Sequence, residues 1–79
     1  MIYYVYVIRS EKNNRIYKGL TQDLEKRLVQ HNMGEHKETK GYRPWVLVYS
    51  KVFTSQIEAK DYHKYLKSED GIEFLKTII

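Results

Sequence analysis

Cysteine is absent from this chain, so neither a disulfide nor a thiolate zinc site can stabilise it. The sequence also has no apolar run that approaches the roughly 20 residues of a membrane-spanning helix. Internal repeats, low-complexity tracts and linkers are missing as well, so we expect residues 1–79 to form one domain. The first residues lack the basic region and cleavage site of a signal peptide, which predicts a cytoplasmic protein.

The chain is rich in aromatic residues and carries a net positive charge. Eight Tyr, two Phe and one Trp make up 14% of the residues, and their large apolar areas compensate for a short core. The formal net charge of +4 at pH 7 favours a polyanionic partner over a neutral one.

The residue pattern predicts an α+β fold with the order β-β-α-β-α-α, a three-stranded antiparallel or mixed sheet flanked by helices. Strands are expected over residues 2–9, 15–20 and 45–53, where Tyr, Val and Ile are frequent. The first two strands are close enough along the chain to form a hairpin.

Capping residues define the predicted helices. Thr21 is the expected cap of the first helix, which should end near Gly34. Ser55 and Glu58 form a capping box that opens a second helix. A last helix is expected over 72–79, after an interruption at 68–71, and the polar stretch 35–43 is expected to be an exposed loop.

Arg27 and His31 are four residues apart, so both lie on one face of the first helix. With about 100° per residue, His31 falls between the apolar Leu24 and Leu28, and Arg27 lies beside them. A buried guanidinium needs an anion, from the protein or from a ligand. The spacing alone favours a simpler alternative, in which Arg27 reaches solvent and His31 is a hydrogen-bonded boundary residue.

Tyr6 and Tyr17 lie on the two strands of the predicted hairpin. The simpler interpretation is that both tyrosines are core or cross-strand residues. A phenol whose pKa is near 10 is a poor base at neutral pH unless nearby cations lower that pKa. A catalytic role for either tyrosine therefore needs additional support.

Taken in order, these segments resemble the GIY-YIG nuclease family, and they cover nearly the whole chain. Tyr4-Val5-Tyr6 is similar to the first motif, Tyr17-Lys18-Gly19 is similar to the second, and Arg27 matches the fixed arginine of the helix that follows. The segments Gln30-His31-Asn32 and Tyr42-Arg43-Pro44-Trp45 also match the small single-domain bacterial members.

The resemblance implies a DNA endonuclease that hydrolyses a phosphodiester bond with one divalent ion, Mg²⁺ or Mn²⁺. Tyr6 and Tyr17 would orient and deprotonate the attacking water, and Arg27 would bind the scissile phosphate. His31 would assist proton transfer, and Gly19 would let the backbone turn tightly under the site. The DNA contacts expected from the basic residues are Lys12, Arg15, Lys40, Arg43, Lys60, Lys64 and Lys67, although a solvated helix face explains the last three equally well.

Three positions depart from the family pattern. Tyr4 stands where Gly is usual, and Lys18 replaces an aliphatic residue of the second motif. His63 occupies the position where the family has its metal-binding Glu, and an imidazole suits Mn²⁺ better than Mg²⁺. The protein is therefore expected to be a weakened or metal-shifted nuclease, with a catalytically silent DNA-binding module and a protein-interaction domain as alternatives. The sequence does not indicate an oligomeric state.

Overall fold

The computed structural model describes all 79 residues, which form three strands and four helices. The strands are β1 (Tyr3–Ser10), β2 (Ile16–Thr21) and β3 (Trp45–Phe53). The helices are α1 (Leu24–Asn32), α2 (Lys37–Lys40), α3 (Gln56–Leu66) and α4 (Glu69–Lys76). The predicted α+β class is confirmed, and α2 is an element that the sequence pattern did not predict.

The sheet has the order β2-β1-β3, and the central strand β1 is antiparallel to both neighbours. In the register of β1 and β2, Tyr6 faces Gly19 and Val7 faces Lys18. Successive side chains of a strand point to opposite faces of the sheet. Tyr6 and Lys18 are therefore directed to opposite faces, although both lie near the same part of the edge strand β2.

Each face of the sheet is covered by a different pair of helices. On one face, Val5 and Val7 pack with Ala59 and Leu66 of α3 and with Leu75 of α4. On the other face, Tyr6, Ile8 and Trp45 form a second core, against which Leu24 and Leu28 of α1 pack. This arrangement places the core side chains of α1 and those of α3 on opposite faces of the sheet. None of the helices has both the length and the apolar character needed to cross a lipid bilayer.

The cap of α1 differs from the prediction. Asp23 is the N-cap, and its carboxylate accepts a hydrogen bond from the backbone N–H of Lys26 at 3.1 Å. Thr21 instead accepts from the backbone N–H of Asp23. Thr21 was the wrong cap because the helix begins two residues later than the composition suggested. The predicted cap of α3 is confirmed, since the Ser55 hydroxyl accepts from the N–H of Glu58.

The structure also corrects the prediction for residues 35–43 and for the start of the last helix. The stretch 35–43 is not a continuous exposed loop, because it contains α2 and the fully buried Thr39. The last helix begins at Glu69 rather than at Ile72, because the Ser68 hydroxyl caps it by accepting from the N–H of Gly71. Gly71 packs directly on the Tyr65 carbonyl, where a side chain would not fit.

Candidate active site

The phenol of Tyr6 lies directly over Gly19 on the neighbouring strand. A β-carbon at position 19 would lie 2.7 Å from Cε1 of Tyr6 and still closer to Cζ and Oη. The close approach of the ring is what requires glycine here. The prediction that Gly19 lets the backbone turn tightly is wrong, because residue 19 lies inside β2. The glycine with a positive φ is Gly34.

A chain of hydrogen bonds runs from Tyr6 through His31 to Thr39. Oη of Tyr6 lies 2.8 Å from Nε2 of His31, and Nδ1 of His31 lies 2.8 Å from Oγ1 of Thr39. The Thr39 hydroxyl donates its proton to the carbonyl oxygen of His36. With the Thr39 hydroxyl assigned as the donor to His36 at 3.4 Å, Oγ1 accepts from Nδ1–H and Nε2 accepts from Tyr6. We assign this tautomer to His31 from the hydrogen-bond network.

His31 is fully buried, and burial is the main reason that its pKa falls to about 4. Electrostatic interaction with His36 and with Arg27 lowers this pKa further. The imidazole is therefore neutral at neutral pH. A neutral imidazole with an unprotonated Nε2 can accept the proton that Tyr6 already directs at it.

Both hairpin phenols lie beside this imidazole. Burial raises the pKa of Tyr6 to about 12, with a further contribution from Tyr17, while the charge and N–H groups of Arg27 oppose the increase. Tyr17 is half-buried, and its ring centroid lies 5.2 Å from that of His31 in an edge-on arrangement. Burial also raises the pKa of Tyr17, Glu38 adds to the effect, and Arg27 again opposes it.

Arg27 is the residue that connects this cluster with solvent. It precedes His31 by one turn of α1, and its charge lowers the pKa of Tyr6, Tyr17 and His31. Arg27 also lines an open hollow of about 410 Å³ between α1, the end of β2 and the start of α3. The hollow has mostly polar walls, formed by Tyr3, Leu20, Thr21, Gln22, Asp23, Lys26, Gln30 and Gln56. The phenols and the imidazole lie behind Arg27 rather than in the wall of this hollow.

His63 lies on the other side of the sheet, because α3 packs against Val5 and Val7 rather than against Tyr6. Nε2 of His63 is 3.2 Å from the carbonyl oxygen of Lys18, the residue before Gly19. Burial lowers the pKa of His63, the bond to the Lys18 carbonyl opposes this, and the charges of Lys67 and Lys18 add to the decrease. His63 is therefore neutral and donates Nε2–H to the carbonyl.

The surroundings of His63 do not fit a magnesium ion, which prefers oxygen ligands and above all carboxylates. The charged side chains that act on His63 are the ammonium groups of Lys18 and Lys67, which would repel a divalent cation. Nowhere in the chain do three His, Asp or Glu side chains form a group that could hold a metal. His63 thus differs from the expected Glu in chemistry and also in the charge around it.

The seven basic residues predicted to contact DNA fall into two groups. Lys12, Lys40 and Arg43 line an open cleft of about 460 Å³ together with Asn32. Arg15 lies close to that cleft, with its guanidinium carbon 4.5 Å from the ring centroid of Tyr42. The other three residues, Lys60, Lys64 and Lys67, lie exposed along α3 on the opposite face of the sheet.

The sequence did not identify Thr39 or the contacts that hold it in place. Nε1 of Trp45 donates to the carbonyl oxygen of Thr39 at 2.8 Å, and the Asn32 side chain makes hydrogen bonds with both the N–H and the carbonyl of Trp45. These bonds tie the connection between α1 and β3 to the site. Thr39 follows His31 by eight residues across a helix end, so no helical or strand periodicity relates the two residues.

Comparison with known proteins agrees with this geometry. Residues 2–72 match the model of the GIY-YIG catalytic domain. The chain is 39% identical over 77 residues to UPF0213 protein SH2523 of Staphylococcus haemolyticus, a match that covers 96% of this chain and 93% of that protein. It is 38% identical over 66 residues to UPF0213 protein YazA of Bacillus subtilis, with 82% and 66% covered.

A solved structure shows the same fold. The solution NMR structure of UPF0213 protein BH0048 from Bacillus halodurans is 31% identical to this chain, with a TM-score of 0.60. The match covers 98% of this chain and 84% of that one. The resemblance derived from the motifs is confirmed: the chain belongs to the GIY-YIG family, whose catalytic domain is a nuclease fold, and within it to the small UPF0213 proteins.

Proposed function

We propose that this protein binds DNA and hydrolyses a phosphodiester bond with Tyr6, Tyr17, Arg27 and His31. The observation that supports this proposal most is that Tyr6 and Tyr17, from two strands, both lie against His31, one helical turn from Arg27 on α1. Arg27 has no salt-bridge partner in the protein, since the single ion pair joins Lys76 and Glu73 at the surface. A phosphate in the hollow beside Arg27 would supply the missing anion.

In the proposed reaction, Arg27 binds the phosphate, whereas the two tyrosines and His31 position the attacking water and take up its proton. Arg27 donates hydrogen bonds to the non-bridging oxygens of the scissile phosphate and stabilises the charge that develops on them. Tyr17, the more exposed phenol, orients the attacking water. The water gives one proton to Oη of Tyr6 while Tyr6 passes its own proton to Nε2 of His31. The resulting hydroxide attacks phosphorus as the bond to the leaving oxygen breaks, and the leaving alkoxide takes a proton from solvent water. His31 then releases its proton to solvent, which restores the neutral imidazole.

The flanking parts of the DNA would lie on the two basic surfaces described above. The cleft of Lys12, Lys40 and Arg43 would contact the backbone on one side, with Arg15 at its margin. The exposed lysines of α3 would contact it on the other. The sequence predicted Mg²⁺ or Mn²⁺ with His63 as a ligand, whereas the cationic surroundings of His63 argue against a metal there. A metal screen on nicked, branched and duplex DNA tests whether cleavage needs a divalent ion.

The decisive experiment compares Arg27→Ala with Arg27→Lys and with a control, Lys51→Ala. Lys51 lies on β3, the edge strand on the opposite side of the sheet from β2. We expect Arg27→Ala to lose a factor on the order of 10² to 10³ in cleavage rate, because it removes the main stabiliser of the phosphate charge. Arg27→Lys should recover part of the activity, and Lys51→Ala should cleave normally. Normal cleavage by Arg27→Ala would overturn the role proposed for this residue.

A catalytically silent DNA-binding module is the second candidate, favoured by the cationic surroundings of His63. It predicts salt-sensitive DNA binding without a divalent ion. Binding of this kind, together with no cleavage in Mg²⁺, Mn²⁺ or Ni²⁺, would select the second candidate over hydrolysis. Absence of DNA binding even at low salt would contradict both candidates and would leave a protein-interaction domain.

A further inference from the structure

Two of the departures from the family pattern lie in contact with each other. Lys18 and His63 are 45 residues apart in sequence, yet Nε2 of His63 bonds to the Lys18 carbonyl at 3.2 Å. Lys67 follows His63 by one helical turn and therefore lies on the same side of α3. The charge of Lys67 acts on both Lys18 and His63. His63, which stands in place of the metal-binding Glu, and Lys18, which stands in place of an aliphatic residue, therefore lie next to each other in the fold.

Lys18 also belongs to a larger cationic groove. Its side chain points to the face covered by α3 and α4, since Lys18 is paired with the core residue Val7. There it lines a groove of about 350 Å³ with Arg9 and Lys76. The remaining lining residues are aliphatic, Ile16, Ile72, Leu75 and Ile79, and none is acidic. Because the single ion pair of the chain is Lys76–Glu73, neither Arg9 nor Lys18 is neutralised by a carboxylate.

We infer that Lys18 and Lys67, held beside His63, bind a phosphate group of a nucleic acid backbone at the place where the family binds its divalent metal. Two ammonium groups without a carboxylate repel each other, and an anion between them relieves that repulsion whereas a divalent cation increases it. His63 contributes by fixing the backbone of β2 to α3 through the Lys18 carbonyl.

The choice of a nucleic acid as the polyanion rests on the function proposed above. Thr21, in the wall of the Arg27 hollow, and Lys18 are three residues apart on β2, a separation of about 10 Å. One strand of a DNA duplex that follows this edge of the sheet would therefore place one phosphate at Arg27 and another at Lys18. Binding of inorganic phosphate tests the site at Lys18 and Lys67 without any assumption about DNA.

The first test is an NMR titration of the full chain with inorganic phosphate and, separately, with Mn²⁺. We expect phosphate to shift the amide signals of Lys18, His63 and Lys67, and we expect Mn²⁺ to leave them without paramagnetic broadening. The double variant Lys18→Ile with His63→Glu restores an aliphatic residue and a carboxylate, so it should lose the phosphate shifts and gain the Mn²⁺ broadening. Selective Mn²⁺ broadening at these residues in the natural chain, or no phosphate shifts there, would overturn the inference.

The second test measures how duplex DNA binding depends on salt. Lys18→Ile should reduce the slope of log K against log salt by about 0.9, the value for one lost phosphate contact. Lys51→Ile makes the same change of side chain on the opposite edge strand and should leave the slope as it is. Equal slopes for Lys18→Ile and the natural chain would overturn the DNA contact. If phosphate shifts the three amides but DNA does not bind, the anion site stands and the proposed function fails.

Discussion

Gly19→Ala tests the close packing that places Tyr6 in the site. The new β-carbon would lie 2.7 Å from Cε1 of Tyr6 and closer to Cζ and Oη, while the ring is only 1% exposed and cannot swing into solvent. Overpacking of a core costs about 1–3 kcal/mol. Displacing Oη from Nε2 of His31 adds about 0.5–1.5 kcal/mol for the lost hydrogen bond. The variant should therefore be less stable by about 2–4 kcal/mol, which lowers the melting temperature by roughly 10 °C or more in a domain of this size.

Gly41→Ala is the matched control, because a β-carbon at position 41 meets no atom within 4 Å and the backbone φ is −76°. Its free energy of unfolding should stay within about 1 kcal/mol of the natural chain. Urea denaturation followed by circular dichroism measures both variants. The change at position 19 should also cost less in a Tyr6→Leu background, since the shorter side chain leaves room. Equal stability of the two alanine variants, or an equal cost of Gly19→Ala in both backgrounds, would refute the packing argument.

Two further predictions concern His31. Its folded pKa of about 4 lies below the unfolded value of about 6.5, so acidification from pH 6.5 to 4 should destabilise the fold by at most about 3 kcal/mol. His31→Gln should show a shallower dependence of unfolding free energy on pH in this window, and identical slopes would contradict the buried neutral imidazole. Thr39→Val should cost about 1–3 kcal/mol by leaving Nδ1–H without an acceptor, whereas Thr39→Ser should keep the bond. Nitrogen NMR should then show a mixture of His31 tautomers in Thr39→Val only, and one unchanged tautomer would disprove the role of Thr39.

Local rules within residues 6–31 explain why the orientation of the Tyr–Arg–His cluster could be predicted from sequence, whereas its catalytic role came from the resemblance to the GIY-YIG family and stays a proposal. Strand alternation, a short hairpin and a helix with Leu24 and Leu28 on its buried face determine which way Tyr6, Tyr17 and His31 point. Each of these rules operates over fewer than eight residues. The prediction that Arg27 lies beside the apolar stripe follows from the same geometry, and the charge of Arg27 lowers the pKa of both phenols.

Long-range packing explains what the sequence did not predict. Thr39 is buried because Trp45 and Asn32 hold the α1–β3 connection against the sheet, and no local periodicity encodes those bonds. Gly71 was expected in an interruption between two helices, but it lies inside α4, where contact with the Tyr65 carbonyl leaves room for glycine alone. Lys18 and His63 were interpreted as separate departures from the family pattern, because no local rule relates residues 45 positions apart in sequence.

The two cores of this domain separate position 63, where the family pattern has a metal-binding Glu, from Tyr6 and His31. Tyr6 and Ile8 pack with α1, whereas Val5 and Val7 pack with α3, so the two groups share the sheet but not their side-chain contacts. A substitution at position 63 therefore alters charge behind β2 without moving Oη of Tyr6 or Nε2 of His31. The hydrogen bond between those two atoms should persist in His63→Glu, which means that any gain of metal-dependent cleavage by that variant reports the ligand itself rather than a repacked active site.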